Sequence, residues 1–177
     1  NLTDRIGFED GKVRLLPEAM VAELERAIMT EPTEDTEYPF VLASGLRTRW
    51  TANTIQRDPK WRKGRGPHCA LNLSPGDAQR AGILDGDVVR IKTRRGEVVL
   101  PAAVDKKLLD GHVWMPNGFG MIYPTEGDAS SSDVAGVNMN AYTDTKDRDP
   151  FTGCPYHRFV PCQIERESST GTEATAL

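Results

Sequence analysis

Between Leu73 and Ile91 the chain carries a dense run of local signals: Leu73-Ser74-Pro75-Gly76-Asp77-Ala78, then Ala81-Gly82-Ile83-Leu84-Asp85-Gly86-Asp87-Val88-Val89-Arg90-Ile91. Ser74 can cap a helix through its hydroxyl. Pro75 suits the first helical position, where its missing N–H costs nothing, and Asp77 sits three residues after the cap. Gly82 can take the left-handed conformation that ends a helix. The spacing therefore predicts one short helix over Pro75–Ala81. Ile83 and Leu84 return to a core, and Asp85-Gly86-Asp87 makes a turn. Val88–Thr93 alternates at its end like a half-buried strand, Arg94-Arg95-Gly96 turns the chain, and Val98–Val104 returns as the second arm of a hairpin.

The rest of the chain supplies more strands than helices. Pro39–Ser44 is an apolar run, read as a strand buried on both faces and ended by Gly45. Cys69–Leu73, Val113–Met115 and Val160–Glu165 read as further strands, with Pro116-Asn117-Gly118-Phe119-Gly120 as a loop and Thr125–Asp133 as a small, polar stretch. Turns at intervals of roughly ten residues favour a closed or nearly closed β-barrel over a doubly wound sheet. Residues 1–37 read as a lead-in. Pro17 opens a helical stretch to about Met29, with Met20, Leu24 and Ala27 in register, and the acidic segment Thr30–Glu37 is a linker. Residues 38–166 form the main domain. Residues 167–177 are too polar to pack and are expected to be disordered.

The chain has 177 residues and a net charge of −4, enough for one domain with a real core. No apolar run is long enough to span a membrane, and no signal peptide is visible. The first residue, Asn1, suggests a piece of a longer polypeptide. Cys69, Cys154 and Cys162 match no zinc or iron–sulfur spacing and read as reduced, buried side chains in a reducing compartment.

For catalysis by the chain alone the signals are poor. His68, His112 and His157 are widely separated, and no nucleophile elbow, zinc-protease motif or phosphate loop occurs. We therefore expect no catalytic residue and no metal ligand in the chain. The loop from Leu46 to Pro67 is different. It holds Arg47, Arg49, Arg57, Lys60, Arg62, Lys63 and Arg65 against a single acid, Asp58. Its start, Gly45-Leu46-Arg47-Thr48-Arg49-Trp50-Thr51-Ala52-Asn53, combines close backbone approach, guanidinium forks and hydroxyl donors, as an anion such as a phosphate requires. A solvated basic loop is the bland alternative. Nucleic acid is disfavoured, because the whole chain is acidic and the basic residues form one loop rather than a stripe. In Gly136-Val137-Asn138-Met139-Asn140-Ala141-Tyr142-Thr143 the two asparagines would point the same way on a strand, each both donor and acceptor.

The Leu73–Ile91 motif, continued by Arg95-Gly96-Glu97-Val98, resembles the molybdopterin-dinucleotide-binding domain of the dimethyl sulfoxide reductase family of molybdenum and tungsten oxidoreductases. The resemblance covers about residues 38–166. Leu42–Arg49 occupies the place of the family's strand and Gly/Arg loop. Asn138–Thr143 followed by Asp149-Pro150-Phe151-Thr152-Gly153-Cys154-Pro155 matches its C-terminal pattern, with Tyr142 in place of the usual leucine; His157 and Arg158 match the polar positions that follow.

The resemblance implies a mostly β fold, a six-stranded double-psi β-barrel with one or two short helices, an extended lead-in and a flexible tail. It implies binding of a bis(molybdopterin guanine dinucleotide) cofactor whose molybdenum or tungsten is ligated outside this fragment. It places Gly45, Leu46, Arg47, Thr48, Arg49, Trp50, Thr51, Asn53, Asn138, Asn140, His157 and Arg158 against that cofactor, on one concave surface. Arg47 is expected to matter more than Arg62 or Lys63. The implied partners are preceding catalytic domains of the same enzyme or a larger subunit, and an iron–sulfur electron-transfer partner. Neither nucleic acid nor membrane insertion is expected. The implied location is the cytoplasm, or the periplasm if a twin-Arg signal precedes the chain. Two other readings stay open: a stand-alone small subunit like that of formylmethanofuran dehydrogenase, and a protein-docking double-psi barrel like the N-terminal domains of some AAA ATPases. The Arg47 and Asn138/Asn140 segments disfavour the second.

Overall fold

The computed structural model of the chain describes residues 5–30, 35–47, 68–125 and 128–167, and only the backbone of residues 121–135. Two compact units divide it, Asn1–Glu34 and Asp35–Leu177. The first holds helix α1 (Glu18–Met29), entered from Pro17 in an extended conformation. Glu18 in its first turn and Arg26 in its last complement the helix dipole. Among the described residues no helix is long and apolar enough to cross a membrane.

The second unit is a barrel. Its strands are β1 (Phe40–Leu46), β2 (Leu71–Leu73), β3 (Val88–Thr93), β4 (Gly96–Val104), β5 (His112–Pro116) and, after a separate hairpin, β8 (Val160–Arg166). They close in the order β1-β5-β2-β4-β3-β8. The β1–β5 and β2–β4 pairs are parallel and the others antiparallel. This is the six-stranded closed barrel expected for a double-psi fold, and closure leaves its sheet without free edges. Side chains that alternate inward fill it: Leu42, Leu71, Leu73, Val89, Ile91, Leu100, Val113, Met115 and Cys162 are at most 3% exposed.

The helix α2 (Pro75–Ala81) forms for the local reasons read from the sequence. Ser74 Oγ accepts from Asp77 N at 3.0 Å, and Gly82 ends the helix at φ 63° while its N–H reaches the Ala78 and Gln79 carbonyls. Tertiary contacts then pin it. The buried Asp77 carboxylate accepts from Gly111 N at 2.8 Å and pairs with Arg80, and Arg80 also reaches Asp110 at 2.9 Å. At Gly76 a Cβ would lie 2.5 Å from the Asp110 carboxylate, so a side chain there would make that half-exposed carboxylate shift. The start of β5 is thus tied to the helix that follows β2.

Three sequence expectations need correction. Gly45 does not end β1: at φ 66° it sits in a register irregularity between Ala43 and Leu46, and the strand continues through it. Nor is β1 buried on both faces; Leu42 and Ser44 are buried, whereas Phe40, Val41 and Ala43 are half-buried. The small, polar stretch after Thr125 is the second arm of a hairpin, β6 (Met121–Thr125) with β7 (Asp128–Ala135). A two-stranded ribbon satisfies its backbone polar groups by pairing, whatever its side chains, so no apolar alternation announced it.

The cysteines also differ from one another. Cys162 is buried and Cys69 half-buried, but Cys154 is exposed, against the expectation that all three are interior. Burial pushes the Cys162 thiol up to about 12, and burial also raises Cys69, although the Val137 N–H that reaches its sulfur at 3.3 Å acts the other way. Because the thiolate is the reactive form, Cys154 should react with a thiol reagent in the folded chain, and Cys69 and Cys162 only after unfolding. A count of labelled thiols before and after denaturant checks this; fast labelling of Cys162 in the native chain would contradict the packing.

Candidate functional site

Because β1 and β5 are parallel neighbours, both chains leave the barrel at the same end. The last residues of β1 hold two other segments there. Ser44, 5% exposed, donates its N–H to the His157 carbonyl at 2.9 Å and its hydroxyl to the same oxygen at 2.5 Å. The Leu46 carbonyl accepts from Asn117 N at 3.1 Å. Between them Gly45 turns at positive φ, with its missing side chain facing the Asn117 Cβ.

These contacts frame a cleft of about 870 Å³. Ser44, Gly45 and Arg47 line it from β1, and Asn117-Gly118-Phe119-Gly120 from the loop after β5. Asn138-Met139-Asn140 and the segment Cys154–Phe159 complete it. Gly118 and Gly120 both have positive φ. At Gly120 the reason is tertiary as well: the space a Cβ would take is occupied by the Asn138 backbone.

Each wall is organised locally. Asn138 Oδ1 accepts from Asn140 N at 3.1 Å and caps a single 3₁₀ turn, Met139–Ala141, with Met139 buried. The two asparagines are therefore not on a strand, as the sequence suggested. Asn138 spends its oxygen on its own backbone, and Asn140 is exposed. The other wall is closed by Asp149, whose Oδ1 accepts from Thr152 N at 2.6 Å, Thr152 Oγ1 at 2.8 Å and Phe151 N at 3.1 Å. Asp149 N in turn donates to the Cys154 carbonyl at 2.9 Å, and Tyr156 N to the Asp147 carbonyl at 3.1 Å.

The Thr152 N–H and hydroxyl hold the Asp149 carboxyl below the usual carboxylate range, and the Ser74 hydroxyl, helped by Arg80, does the same for Asp110. A lowered folded pKa means that the unfolded chain binds the proton more readily. The stability from these groups is therefore present above the ordinary aspartate pKa and is lost as pH falls through the lower folded values. We expect the melting temperature to fall on acidification below about pH 4. The fall should be shallower in Asp149→Ala; identical pH profiles for the variant and the parent chain would show that the turn does not depend on the charge.

Among the described residues two buried polar atoms have no partner, Asn117 Oδ1 and His157 Nδ1, and both residues line the cleft. Buried polar groups in folded proteins are nearly always hydrogen-bonded, so an orphaned pair in one cleft calls for an external partner. Arg47 and Arg158 line the same cleft and are exposed. The arrangement thus offers cations able to grip an anion beside unspent polar atoms able to read a ring. Among the described residues no group of three or more His, Cys, Asp or Glu is placed to hold a metal ion.

Of the residues singled out in the sequence, Gly45, Arg47, Asn138, Asn140, His157 and Arg158 come together around this cleft. Leu46 stands beside it and contributes its carbonyl to Asn117. Thr48, Arg49, Trp50, Thr51 and Asn53 lie outside the described residues. Sequence reasoning passed over Ser44, Asn117, Phe119, Tyr156 and Phe159. A signal existed for the first of the two loops involved: Asn-Gly-x-Gly directly after a strand supplies two positive-φ positions and an amide where the backbone turns most tightly.

The family model described as "Molydopterin dinucleotide binding domain" matches residues 40–161. Among curated proteins, a nitrate reductase of Symbiobacterium thermophilum is 40% identical over 79 residues, 42% of this chain and 10% of that protein. The F420-dependent formate dehydrogenase 1 subunit alpha of Methanococcus maripaludis is 33% identical over 86 residues, 48% of this chain and 13% of that protein. Among solved structures, acetylene hydratase from Pelobacter acetylenicus superposes with a TM-score of 0.56 and 21% identity over 92% of this chain and 22% of that one, which shows a shared fold. The chain thus spans only a small part of the length of the proteins it matches.

Proposed function

Since the chain belongs to the molydopterin dinucleotide binding domain family, we propose that its cleft holds one face of a bis(molybdopterin guanine dinucleotide) cofactor within a larger molybdenum- or tungsten-dependent oxidoreductase. The observation that carries this reading is the pairing of two orphaned buried polar atoms, Asn117 Oδ1 and His157 Nδ1, with Arg47 and Arg158 in one cleft. The residues fit such a group. A pterin dinucleotide has a ring edge rich in donors and acceptors and a pyrophosphate, and the cleft supplies partners for both. Its volume suits a ligand of that size.

When bound, the cofactor supplies dithiolene sulfurs to the metal at which redox chemistry occurs. The residues of this chain do the positioning. Arg47 and Arg158 neutralise phosphate charge, and Asn140, on the 3₁₀ turn, presents an amide to the ligand. Ser44, by gripping the His157 carbonyl, keeps that ring's backbone fixed, and a fixed donor set orients a ligand better than a mobile one. Thr48, Arg49, Trp50, Thr51 and Asn53 extend the phosphate side of the site in this reading. We assign the binding role to residues 38–166, with residues 1–37 as lead-in and 167–177 as tail. The metal ligand, the substrate funnel and the iron–sulfur partner belong to other parts of the enzyme. We assign the enzyme to the cytoplasm, or to the periplasm if a twin-Arg signal precedes the chain; the odd, sparse set of three cysteines supports the reducing compartment.

Acid hydrolysis of the purified enzyme that carries this chain tests the reading. Release of GMP together with an oxidised pterin is the expected result. CMP in place of GMP would exclude the guanine form, and absence of any nucleotide would overturn the cofactor itself.

A further inference from the structure

The tip of the β3–β4 hairpin holds a different segment on each flank. On one flank is the chain entering the barrel. Arg94 pairs with the Asp35 carboxylate and lays its guanidinium over the Tyr38 ring, 4.8 Å from the centroid. A guanidinium can do both at once, because its edge donates while its face stacks. Asp35 Oδ1 also accepts from Tyr38 N at 3.0 Å, and Tyr38 is buried. Gln163 of β8 adds a second hold, donating to the Glu37 carbonyl at 2.5 Å.

On the other flank is one wall of the cleft. Thr93, buried and next to Arg94 in the chain, donates its hydroxyl to the Tyr142 carbonyl at 2.9 Å. Across the two-residue turn Gly96 faces the Tyr142 ring, which a Cβ there would meet at 3.6 Å. Arg95 faces Asp144 at 3.9 Å. Tyr142 ends the 3₁₀ turn of Met139–Ala141, its N–H donating to the Met139 carbonyl at 3.1 Å, and Asn138, Met139 and Asn140 line the cleft. Among the described residues no hydrogen bond or ion pair runs directly between residues 35–38 and residues 138–144. The hairpin tip joins them.

We propose that Arg94 is a positioning residue for the cleft: it seats the entering chain against the hairpin tip, and through Thr93 the tip latches the Asn138–Tyr142 wall. The Thr93 hydroxyl carries one proton and has two acceptors in reach, the Tyr142 carbonyl at 2.9 Å and the Gly96 carbonyl of its own hairpin at 3.2 Å. When the tip shifts, the hydroxyl turns to Gly96 and the wall is released. The latch therefore has two discrete arrangements, which is what a coupling between separated segments requires. Arg94 biases it, because the half-exposed side chain is held in one conformation only by Asp35 and Tyr38. Gln163 keeps its grip on Glu37, so loss of Arg94 loosens the entering chain without freeing it. The latch concerns the shape of a wall and holds whatever ligand fills the cleft.

Hydrogen exchange of the protein that carries this chain, read by mass spectrometry on peptides, tests the proposal. Arg94→Ala should speed exchange in a peptide spanning 138–143 by roughly tenfold, the scale of one lost hydrogen bond, and leave a peptide spanning 75–83 unchanged. The second peptide covers α2, which is held by Ser74, Asp77 and Asp110 and not by the tip. Asp35→Asn leaves the hairpin itself intact and should act in the same direction. Arg94→Lys keeps the charge but not the fork or the stacking face, and should restore part of the protection. Thr93→Val removes the hydroxyl with little change of shape; in that background Arg94→Ala should add nothing in the 138–143 peptide. Equal acceleration of both peptides would mean that Arg94 serves overall stability alone, and the proposal would fall. It would fall equally if the 138–143 peptide were unchanged in Arg94→Ala and Asp35→Asn, or if the Thr93 and Arg94 effects were additive.

Discussion

Gly120→Ala is expected to lower the melting temperature of the chain by on the order of 10 °C. Two effects add. The residue sits at φ 80°, where a side chain is strained by roughly 1–2 kcal/mol. The added Cβ would also overlap the N and Cα of Asn138, which are backbone and cannot rotate away. Forcing a methyl into packed structure costs about 1–3 kcal/mol. Together the cost is about 3 kcal/mol, which for a domain of this size corresponds to the stated shift. Gly82→Ala is the control. Its φ is 63°, but nothing lies within 4 Å of the added carbon, so only the conformational strain remains. Thermal unfolding of the two variants side by side is decisive. Equal, small shifts would mean that the loop after β5 and the Asn138 turn are not packed backbone to backbone, and the two walls of the cleft would have to be redrawn.

Arg47→Ala, made in the enzyme that carries this chain, should increase the rate of cofactor loss about tenfold, a magnitude typical of a lost charge-assisted hydrogen bond. Arg47 lines the cleft but is exposed, so the effect should be largest at low ionic strength and shrink as salt screens the guanidinium. Lys106→Ala removes an exposed cation from the connection before β5, which does not line the cleft, and should change nothing. The measurement is metal and pterin retained per protein over a dialysis series. Equal retention in the Arg47 variant and the parent would remove the phosphate role from this residue.

The portions of this protein that could be read from the sequence are those whose causes are local. Ser74, Pro75, Asp77 and Gly82 specify α2 through contacts a few residues apart, and the structure reproduces each of them. The hairpin of β3 and β4 turns at Arg94 and Arg95, as its glycine and flanking alternation required. The Leu73–Ile91 motif, through the family it resembles, indicated the closed barrel and brought Gly45, Arg47, His157 and Arg158 forward as site residues.

What remained hidden depends on partners distant in the chain. The β6–β7 ribbon announced itself by no apolar pattern, since its strands are stabilised by each other's backbone. Asn138 and Asn140 looked like strand neighbours until the Asn138 side chain was seen capping its own turn. Asn117 was marked only by the Asn-Gly-x-Gly turn after β5, which says nothing of what that loop faces. Its place in the cleft follows from the parallel pairing of β1 with β5, which sets the ends of strands some seventy residues apart side by side. Local preference decides whether a segment is strand, turn or helix, because those choices are settled within a few bonds. Which loops face one another across a cleft is decided by the order in which the barrel closes, and that order is a property of the whole chain's packing.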